Sequence, residues 1–298
     1  MQISSNLMFD RSATRMSTLM ATATKLQTQI ATGKKINTPS ENVAVAQQIA
    51  EFDRKDADAA AYATNLKLSE SLLKQSDATL GSITDQLQRA TDLVTQAATG
   101  TLSDANRKVI GGELSAVVDA LVGLGNTKDL RGQPLFGSAS GTDAVIRNAD
   151  GSFTYNTAPK LSEIPIGDGV SIQATETASR VFNSSAGDTL AMLAQLATAL
   201  QTGTDQSGAA RDALAPLKAA GEQVSIVQAS VGARAARVDL QQGLLDNANL
   251  DRAELRSSME DVDVTEAYAE LSKTLTILNA TQQSFSKLSQ LSLFNYLR

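Results

Sequence analysis

The sequence predicts a mainly α protein in which both chain ends form a long antiparallel helical coiled-coil rod, with a small β-rich domain inserted in the middle. Two observations support this fold class. Apolar residues recur every seven positions towards both ends of the 298-residue chain, as in long helices with one continuous apolar seam. The segment 131–187 instead holds seven of the nineteen glycines and three of the five prolines, together with short β-rich runs.

The N-terminal half predicts two helices. The first is short, and its seam contains Phe9, Met16, Ala23 and Ile30, with Leu19 and Leu26 between them. The second covers residues 41–98, and its seam consists of Val45, Phe52, Ala59, Leu66, Leu73, Leu80, Leu87 and Val94. At a rise of 1.5 Å per residue, a helix of this extent is roughly 85 Å long.

The C-terminal half repeats this organisation. A short helix is predicted at "DTLAMLAQLATAL", and a long return helix follows it. The seam of this half consists of Val224, Val231, Val238, Leu245, Val264, Leu271, Leu278 and Phe285. Long helices at both ends, separated by a middle of different character, predict that the two termini pair in antiparallel fashion.

The composition disfavours catalysis. The chain has no His, Cys or Trp, so it lacks the usual proton shuttle, the thiolate nucleophile and the ordinary zinc ligands. We predict no catalytic residues, no cofactor and no metal. The net charge of -6 gives no indication of nucleic acid. No stretch approaches a membrane span, and the first residues contain no apolar run of signal-peptide length.

The stretch "IATGKKINTPSEN" has two interpretations. A phosphate-binding loop requires a glycine where Thr28 stands and a hydroxyl where Lys35 stands, so that interpretation is rejected. The alternative is a break between two helices. It makes Gly33 a helix stop, "INTPS" an extended connection with Pro39 keeping its neighbour out of helical geometry, and Ser40 the N-cap of the next helix.

Two charged clusters are candidate sites. Glu260, Asp261, Asp263 and Glu266 could bind a metal, but acids that enter a helix N-terminus favour its dipole, and this structural role is preferred. Arg234 and Arg237 share a helix turn. They could contact a phosphate or a partner, or they could form ion pairs on a bundle surface.

Several segments in order along the chain resemble the bacterial flagellin superfamily. They are "QISSNLMFDRS", "LQTQIATGKKINTPSENVAVAQ", "LRGQPLFGSASG", "VGARAARVD", "MEDVDVTEA" and "SLFNYLR". Pro39 and the run "PLFGSASGTDA" are similar to the hook-filament junction branch of that superfamily, although Val43 replaces a second proline typical of the branch. The final "LR" also closes many flagellins, so a short flagellin that forms the filament itself remains the alternative.

The resemblance implies a non-enzymatic structural subunit of the flagellum that joins the hook, through another hook-associated protein, to the flagellin filament. It implies export through the flagellar type III apparatus, an export chaperone, ordering on assembly and an extracellular location in the flagellum. The implied partners are copies of the chain in a helical layer, the hook-associated protein and flagellin, with no nucleic acid and no membrane. A surface binder that uses the β-rich domain is also left open.

The expected domains are an inner terminal coiled coil (1–42 and 262–298), a helical rod (43–130 and 188–261) and a β-rich outer domain (131–187). The expected assembly interface contains Leu7, Met16, Leu19, Leu26, Ile30, Val264, Leu271, Leu278, Phe285, Leu288, Leu293, Phe294 and Tyr296. In particular, we expect Leu7, Leu19, Leu26 and Ile30 to pack against Leu271, Leu278, Phe285 and Leu288. The interdomain break contains Gly33, Asn37, Pro39 and Ser40, and the family signature of the rod contains Gly232, Arg234, Asp261 and Asp263.

Overall fold

A computed structural model describes residues 2–137, 142–156 and 162–296, with side chains described between residues 7 and 287 of these ranges. It confirms the fold class, with long helices at both ends and small two-stranded sheets in the middle. The elements in chain order are α1 (Gln2–Thr32), α2 (Val43–Ala97), α3 (Asp104–Gly125), β1 (Val145–Arg147), β2 (Phe153–Tyr155), β3 (Glu163–Gly167), β4 (Val170–Gln173), α4 (Ala178–Phe182), β5 (Asn183–Ser184), β6 (Gly187–Asp188), α5 (Thr189–Thr202), α6 (Ser207–Glu260) and α7 (Val264–Tyr296).

The chain forms two compact units, which divide within α2 after Ala57 and within α6 after Asp246. Unit 1 contains α1, α7 and the adjoining ends of α2 and α6, and unit 2 contains everything between. The sequence-based prediction instead divides the chain at the helix breaks, with a separate β-rich domain. That three-domain division remains a prediction.

The seam of α2 forms one side of the core of unit 2. Its six predicted positions from Ala59 to Val94 are all buried. The four predicted positions of α6 from Val224 to Leu245 are buried in the same hydrophobic cluster. Both long helices therefore bury one stripe each, which explains why residues seven apart are apolar along them.

The middle segment consists of three antiparallel hairpins, β1–β2, β3–β4 and β5–β6. Strands of two to five residues are too short to enclose a core of their own. Phe153, Ile166 and Ile172 instead belong to the same hydrophobic cluster as the helices. The β-rich segment is thus packed onto the helices of unit 2 in the part of the chain that the structure describes.

Helices α3 and α5 pack very closely where they cross, because a glycine without a side chain lies at the crossing. A Cβ atom added to Gly111 would lie 2.9 Å from the carbonyl oxygen of Ala197 and 3.0 Å from the Cβ of Leu200. The next residue, Gly112, faces outward, and its added Cβ would have no neighbour within 4 Å. Among the residues that the structure describes, packing requires only the first of these two glycines.

The two glycines form a matched pair for a stability measurement. Gly111→Ala should lower the free energy of unfolding of unit 2 by about 1–3 kcal/mol, because the added methyl group overpacks the α3–α5 crossing. Gly112→Ala should raise it by up to about 1 kcal/mol, because alanine has the higher helix propensity. Denaturant unfolding followed by circular dichroism measures both changes, and equal effects would contradict the close crossing.

Candidate assembly site

Helices α1 and α7 pack against each other in unit 1. Ala23 and Leu26 of α1 and Leu278 of α7 are buried. The rings of Phe9 and Phe285 meet edge to face, with their centroids 5.1 Å apart and their planes at 79°. This arrangement is favoured for aromatic pairs, and it pairs the start of α1 with the later part of α7.

The predicted seam residues of α1 and α7 differ in burial. Met16, Leu19, Ile30, Leu271 and Phe285 are half-buried. Leu7 and Val264 are about half exposed. Leu7 precedes Phe9 by two residues, which places it about 200° away around the helix axis, and its packing against α7 stays a prediction. Leu288, Leu293, Phe294 and Tyr296 lie outside the described side chains.

The break between α1 and α2 is joined to the break between α6 and α7 by backbone hydrogen bonds. The Lys35 N–H donates to the Glu260 carbonyl at 2.6 Å, and the Val262 N–H donates to the Gly33 carbonyl at 2.9 Å. The Lys34 ammonium lies 2.8 Å from the buried carboxylate of Glu260. Two irregular segments more than two hundred residues apart therefore satisfy each other's polar groups.

Gly33 makes this geometry possible. Helix α1 ends at Thr32, and Gly33 follows with a φ angle of +71°. Its N–H donates to the Gln29 carbonyl at 2.8 Å, as at many helix C-termini that end in a left-handed glycine. The predicted helix stop is thus observed, and the turn directs the Gly33 carbonyl to the second break.

The rest of the first break differs from the prediction. Pro39 and Ser40 occupy the centre of a turn closed by the Glu41 N–H, which donates to the Thr38 carbonyl at 3.0 Å. The predicted extended connection is wrong because proline fits the second position of a β-turn. Asn37 lies beside this turn, and its N–H donates to the Glu41 carboxylate at 3.3 Å.

Asn42, and not Ser40, is the N-cap of α2. Its side-chain oxygen accepts a hydrogen bond from the Val45 N–H at 3.2 Å. Ser40 lies too early in the chain to reach the first turn of α2, and its hydroxyl is 3.2 Å from the hydroxyl of Thr38. Asparagine is as good a cap as serine, so the prediction chose the wrong one of two suitable residues.

The acidic residues around the second break accept hydrogen bonds at the end of α6 and at the start of α7. The Asp263 carboxylate accepts hydrogen bonds from the N–H groups of Thr265 at 2.9 Å and Glu266 at 3.1 Å, so it caps α7. The Asp261 carboxylate accepts one from the Ser257 hydroxyl. Within the described ranges, no three acidic residues are arranged so that they could hold a metal ion.

A group of ion pairs that was not predicted from the sequence joins α2 to α6 within unit 1. Arg252 lies 2.6 Å from Asp56, and Arg256 lies 2.8 Å from Asp53 and 2.9 Å from Asp56. The hydrogen bond from Arg256 to Asp53 raises the pKa of that guanidinium. The two aspartates are three residues apart and the two arginines are four residues apart, so each pair lies on one helix face. This spacing is the feature of the sequence that could have predicted the ion pairs.

Arg234 connects α6 to the β-rich segment of unit 2. Its guanidinium donates to the carbonyls of Gln173 at 2.9 Å and Thr175 at 3.1 Å, and it forms an ion pair with Glu176. Glu176 is buried and is also 2.8 Å from Arg180. This environment favours the structural interpretation of Arg234.

Gly232, the other signature position in α6, and the neighbouring Arg237 have no comparable contact among the described residues. Gly232 is exposed, with no atom within 4 Å of a Cβ added to it. Arg237 is exposed as well. The pair of arginines noted in the sequence is therefore divided between an internal contact and an outward-facing charge.

The strongest pKa perturbation in the described residues also has a structural cause. Burial, and then a 2.7 Å hydrogen bond to the Asp188 carboxylate, raise the pKa of Tyr155. Asp188 at the same time caps α5. The phenol is thus held neutral as a hydrogen-bond donor, which is the role of a structural tyrosine.

These features define a class of protein in which the first and last helices pair with each other. Long helices and a small β-rich insertion lie between them in the chain. The description "bacterial flagellin N-terminal helical region" matches residues 3–140, and "bacterial flagellin C-terminal helical region" matches residues 214–297. The chain belongs to the bacterial flagellin family. No described helix is both long and apolar enough to cross a membrane.

Individual relatives are distant in sequence. Flagellar hook-associated protein 3 of Salmonella typhimurium is 23% identical over 99% of this chain and 99% of its own length. A flagellin of Listeria innocua is 24% identical over 87% of this chain and 84% of its own length. The structure of flagellar hook-associated protein-3 from Legionella pneumophila has a TM-score of 0.65 at 14% identity, covering 71% of this chain and 98% of that one.

Replacement of Arg234 tests the junction between α6 and the β-rich segment. Arg234→Ala should lower the free energy of unfolding by about 2–3 kcal/mol, because Glu176 and two carbonyl groups lose a charged partner. Arg180→Ala is the matched control. Arg180 binds the same carboxylate but is about half exposed, so its removal should cost no more than about 1 kcal/mol. Chemical denaturation measures both, and a reversed order would contradict the assignment.

Proposed function

We propose that this chain is a structural subunit of the bacterial flagellum and that it occupies the junction between hook and filament. The observation that carries the proposal is the paired terminal helices of unit 1, whose apolar surface is wider than their mutual contact. Tyr268 and Leu275 of α7 are exposed beside the seam, Val264 is about half exposed at its start, and Ile277 is exposed on its other flank. Such surface is suited to burial against neighbouring subunits.

Two further features support the junction role over other positions in the flagellum. The likeness to the Salmonella hook-associated protein 3 extends over nearly the full length of both chains. The turn centred on Pro39 matches the proline that characterises the junction branch.

The proposed partners follow from this position. Copies of the chain form a helical layer, a hook-associated protein binds on the hook side, and flagellin binds on the filament side. The chain is exported through the flagellar type III apparatus with the help of a chaperone, and it is located outside the cell in the flagellum. The role is structural and involves no enzymatic step, cofactor, metal, nucleic acid or membrane.

Ordering of the inner domain is coupled to assembly in this proposal. Residues 1–42 and 262–298 form the inner coiled coil, with the rod (43–130 and 188–261) and the outer domain (131–187) outside it. Any partner that binds the paired terminal helices but not their separated form stabilises the pair by mass action. In this proposal Leu293, Phe294 and Tyr296, which lie outside the described side chains, find partners only in the assembled layer.

A substitution in the seam tests whether the terminal pairing is needed for assembly. Leu278→Asp places an unpaired charge in a buried position, so it should abolish incorporation into flagella while export into the medium continues. Thr276→Asp, at an exposed position of the same helix, is the control and should be incorporated normally. Immunoblots of isolated flagella and of culture medium measure both, and normal incorporation of Leu278→Asp would contradict the pairing.

Removal of residues 288–298 tests the contribution of the chain end. The truncated chain should retain the circular dichroism of the helical unit 2, because none of that unit's elements is removed. It should no longer attach to hooks, because its last apolar residues are missing. Normal filament attachment by the truncated chain would contradict the proposed role of this segment.

A short flagellin is the second candidate, supported by the likeness to the Listeria flagellin. The two candidates differ in self-assembly. A junction protein should remain in short oligomers when purified, and its loss should leave hooks intact while flagellin escapes into the medium. A flagellin should polymerise alone into long filaments, which electron microscopy of the concentrated chain would reveal.

A further inference from the structure

Helices α3 and α6 run in the same direction along unit 2, because both are antiparallel to α2. Early in α3, the Arg107 guanidinium donates to the carbonyl of Ala97 near the end of α2. Further along α3, Glu113 forms an ion pair with Arg89, which lies earlier in α2. The order of these contacts shows that α3 returns along α2 in the opposite direction.

Helix α6 returns along α2 in the same way. Near its start, the Arg211 guanidinium donates to the carbonyl of Ala98 just beyond α2. Further along α6, the Gln228 amide donates to the carboxylate of Asp77, which lies well before that end of α2. Both α3 and α6 bury one side in the same hydrophobic cluster. Two copies in one orientation can therefore bring α3 and α6 together only as parallel helices.

The side of α6 that faces away from this cluster is apolar. Leu240 and Leu244 are 65% and 53% exposed. We call the stripe to which they belong the α6 face, and its members are Ala229, Ala233, Ala236, Leu240 and Leu244, all exposed. The spacing of three or four residues places them on the side opposite the buried Val231 and Val238.

The outward side of α3 is apolar as well. Its large side chain, Val109, is 63% exposed. We call the stripe to which it belongs the α3 face, and its members are Ala105, Val109, Gly112, Ala116 and Ala120, all exposed. They lie on the side opposite the buried Leu114 and Leu121. Neither face contains a charged residue.

Open glycines lie on or beside both faces. Cβ atoms added to Gly112 of α3, or to Gly232 and Gly243 of α6, would meet nothing within 4 Å. A glycine inside a helix costs about 1 kcal/mol relative to alanine, and no contact among the described residues offsets this cost. Small residues allow a second helix to approach closely. A contact with another chain would give these glycines a role.

The two faces match in spacing when their helices are parallel. Steps of four, three, four and four residues separate the members of each face, so all five positions can oppose each other in order. Val109 then lies opposite Ala233, and Leu240 lies opposite Ala116. Leu244 lies opposite the last member of the α3 face, which is also an alanine. Every large side chain therefore meets a small one, as interdigitating helices require.

Neighbouring alignments lack this match in size. A shift by seven residues in one direction brings Ile226 opposite Val109, and the same shift in the other direction brings Leu240 opposite Val109. Both place two large side chains against each other. In the matched alignment the opposed positions differ by about twenty residues in their level along α2, so the two copies are staggered by about 30 Å.

We propose that the α6 face of one copy of this chain docks on the α3 face of a second copy, with the two helices parallel. The contact joins two different surfaces and keeps both copies in one orientation. Each copy retains one free face of each kind, so the contact can repeat and build a ring or a helical layer. The inference rests on the proposed function, in which copies form a layer with a hook side and a filament side, and it specifies which surfaces of unit 2 meet.

Engineered disulfides test the contact, because the chain contains no cysteine and a disulfide forms only between Cα atoms less than about 7 Å apart. One full-length double variant carries Ala236→Cys and Gly112→Cys, and the other carries Ala229→Cys and Ala105→Cys. Both should give a ladder of cross-linked multimers when isolated flagella are oxidised. An antiparallel contact opposes only one of the two pairs, so a ladder from one variant alone would overturn the parallel direction.

The matched control combines Ala236→Cys with Ala120→Cys, eight residues from Gly112 on the same α3 face, and it should give no ladder. A ladder from this control would overturn the alignment. Each single variant should also give none, and self-linking of Ala236→Cys alone would overturn the proposal in favour of a symmetric contact.

Entry into flagella separates the docking from the proposed function. Absence of a ladder both in flagella and in the concentrated purified chain would overturn the docking, and the proposed function would stand if the variants still enter flagella. A ladder in the purified chain without entry into flagella would support the docking and contradict the proposed function.

An exchange of side-chain size provides a second readout. Ala233→Leu, in the background of Ala236→Cys and Gly112→Cys, should reduce the ladder yield about tenfold, because a second large side chain then meets Val109. Adding Val109→Ala should restore the yield, because a large side chain again meets a small one. Both positions are exposed, so the circular dichroism of the purified chain should not change. Loss of the ladder without restoration would overturn the alignment.

Discussion

The structure depends on one constraint: a long helix with an apolar seam must have that seam covered by another helix. In unit 1 the cover for α1 is α7, which comes from the opposite end of the chain. Burial of seam residues such as Leu26 and Leu278 supplies the attraction. The attraction is not directional, however, and a heptad seam shifted by seven residues would bury nearly the same surface.

The polar contacts near the helix breaks select the register. Hydrogen bonds from Lys35 to Glu260 and from Val262 to Gly33 can form in one alignment only. Burial of the Glu260 carboxylate beside Lys34 strengthens the selection, because a shifted pairing would leave a buried charge without its partner. The irregular segments therefore do more than connect helices. They define which turn of one helix lies beside which turn of another.

The seam could be predicted from the sequence because a helix that buries one face has apolar residues at regular intervals. The positions from Ala59 to Val94 are buried as the sevenfold repeat predicts. The errors concern features without a period. Ser40 and Asn42 are equivalent as caps by residue type, and only the turn around Pro39 decides between them. Glu176 could not be identified, because its partner Arg234 is far away in sequence and nothing local relates the two.

The two units are stabilised to different degrees, and this difference bears on function. One continuous hydrophobic cluster from Ala59 to Leu245 lies entirely within unit 2. The other buried apolar side chains that the structure describes are Ala23, Leu26, Ala267 and Leu278 of unit 1. Since apolar burial is the main favourable contribution to folding, unit 1 gains less from its own contacts and more from any partner that covers α7. The proposed function uses this difference, with unit 2 as the part expected to fold before assembly and unit 1 as the part expected to become stable within it.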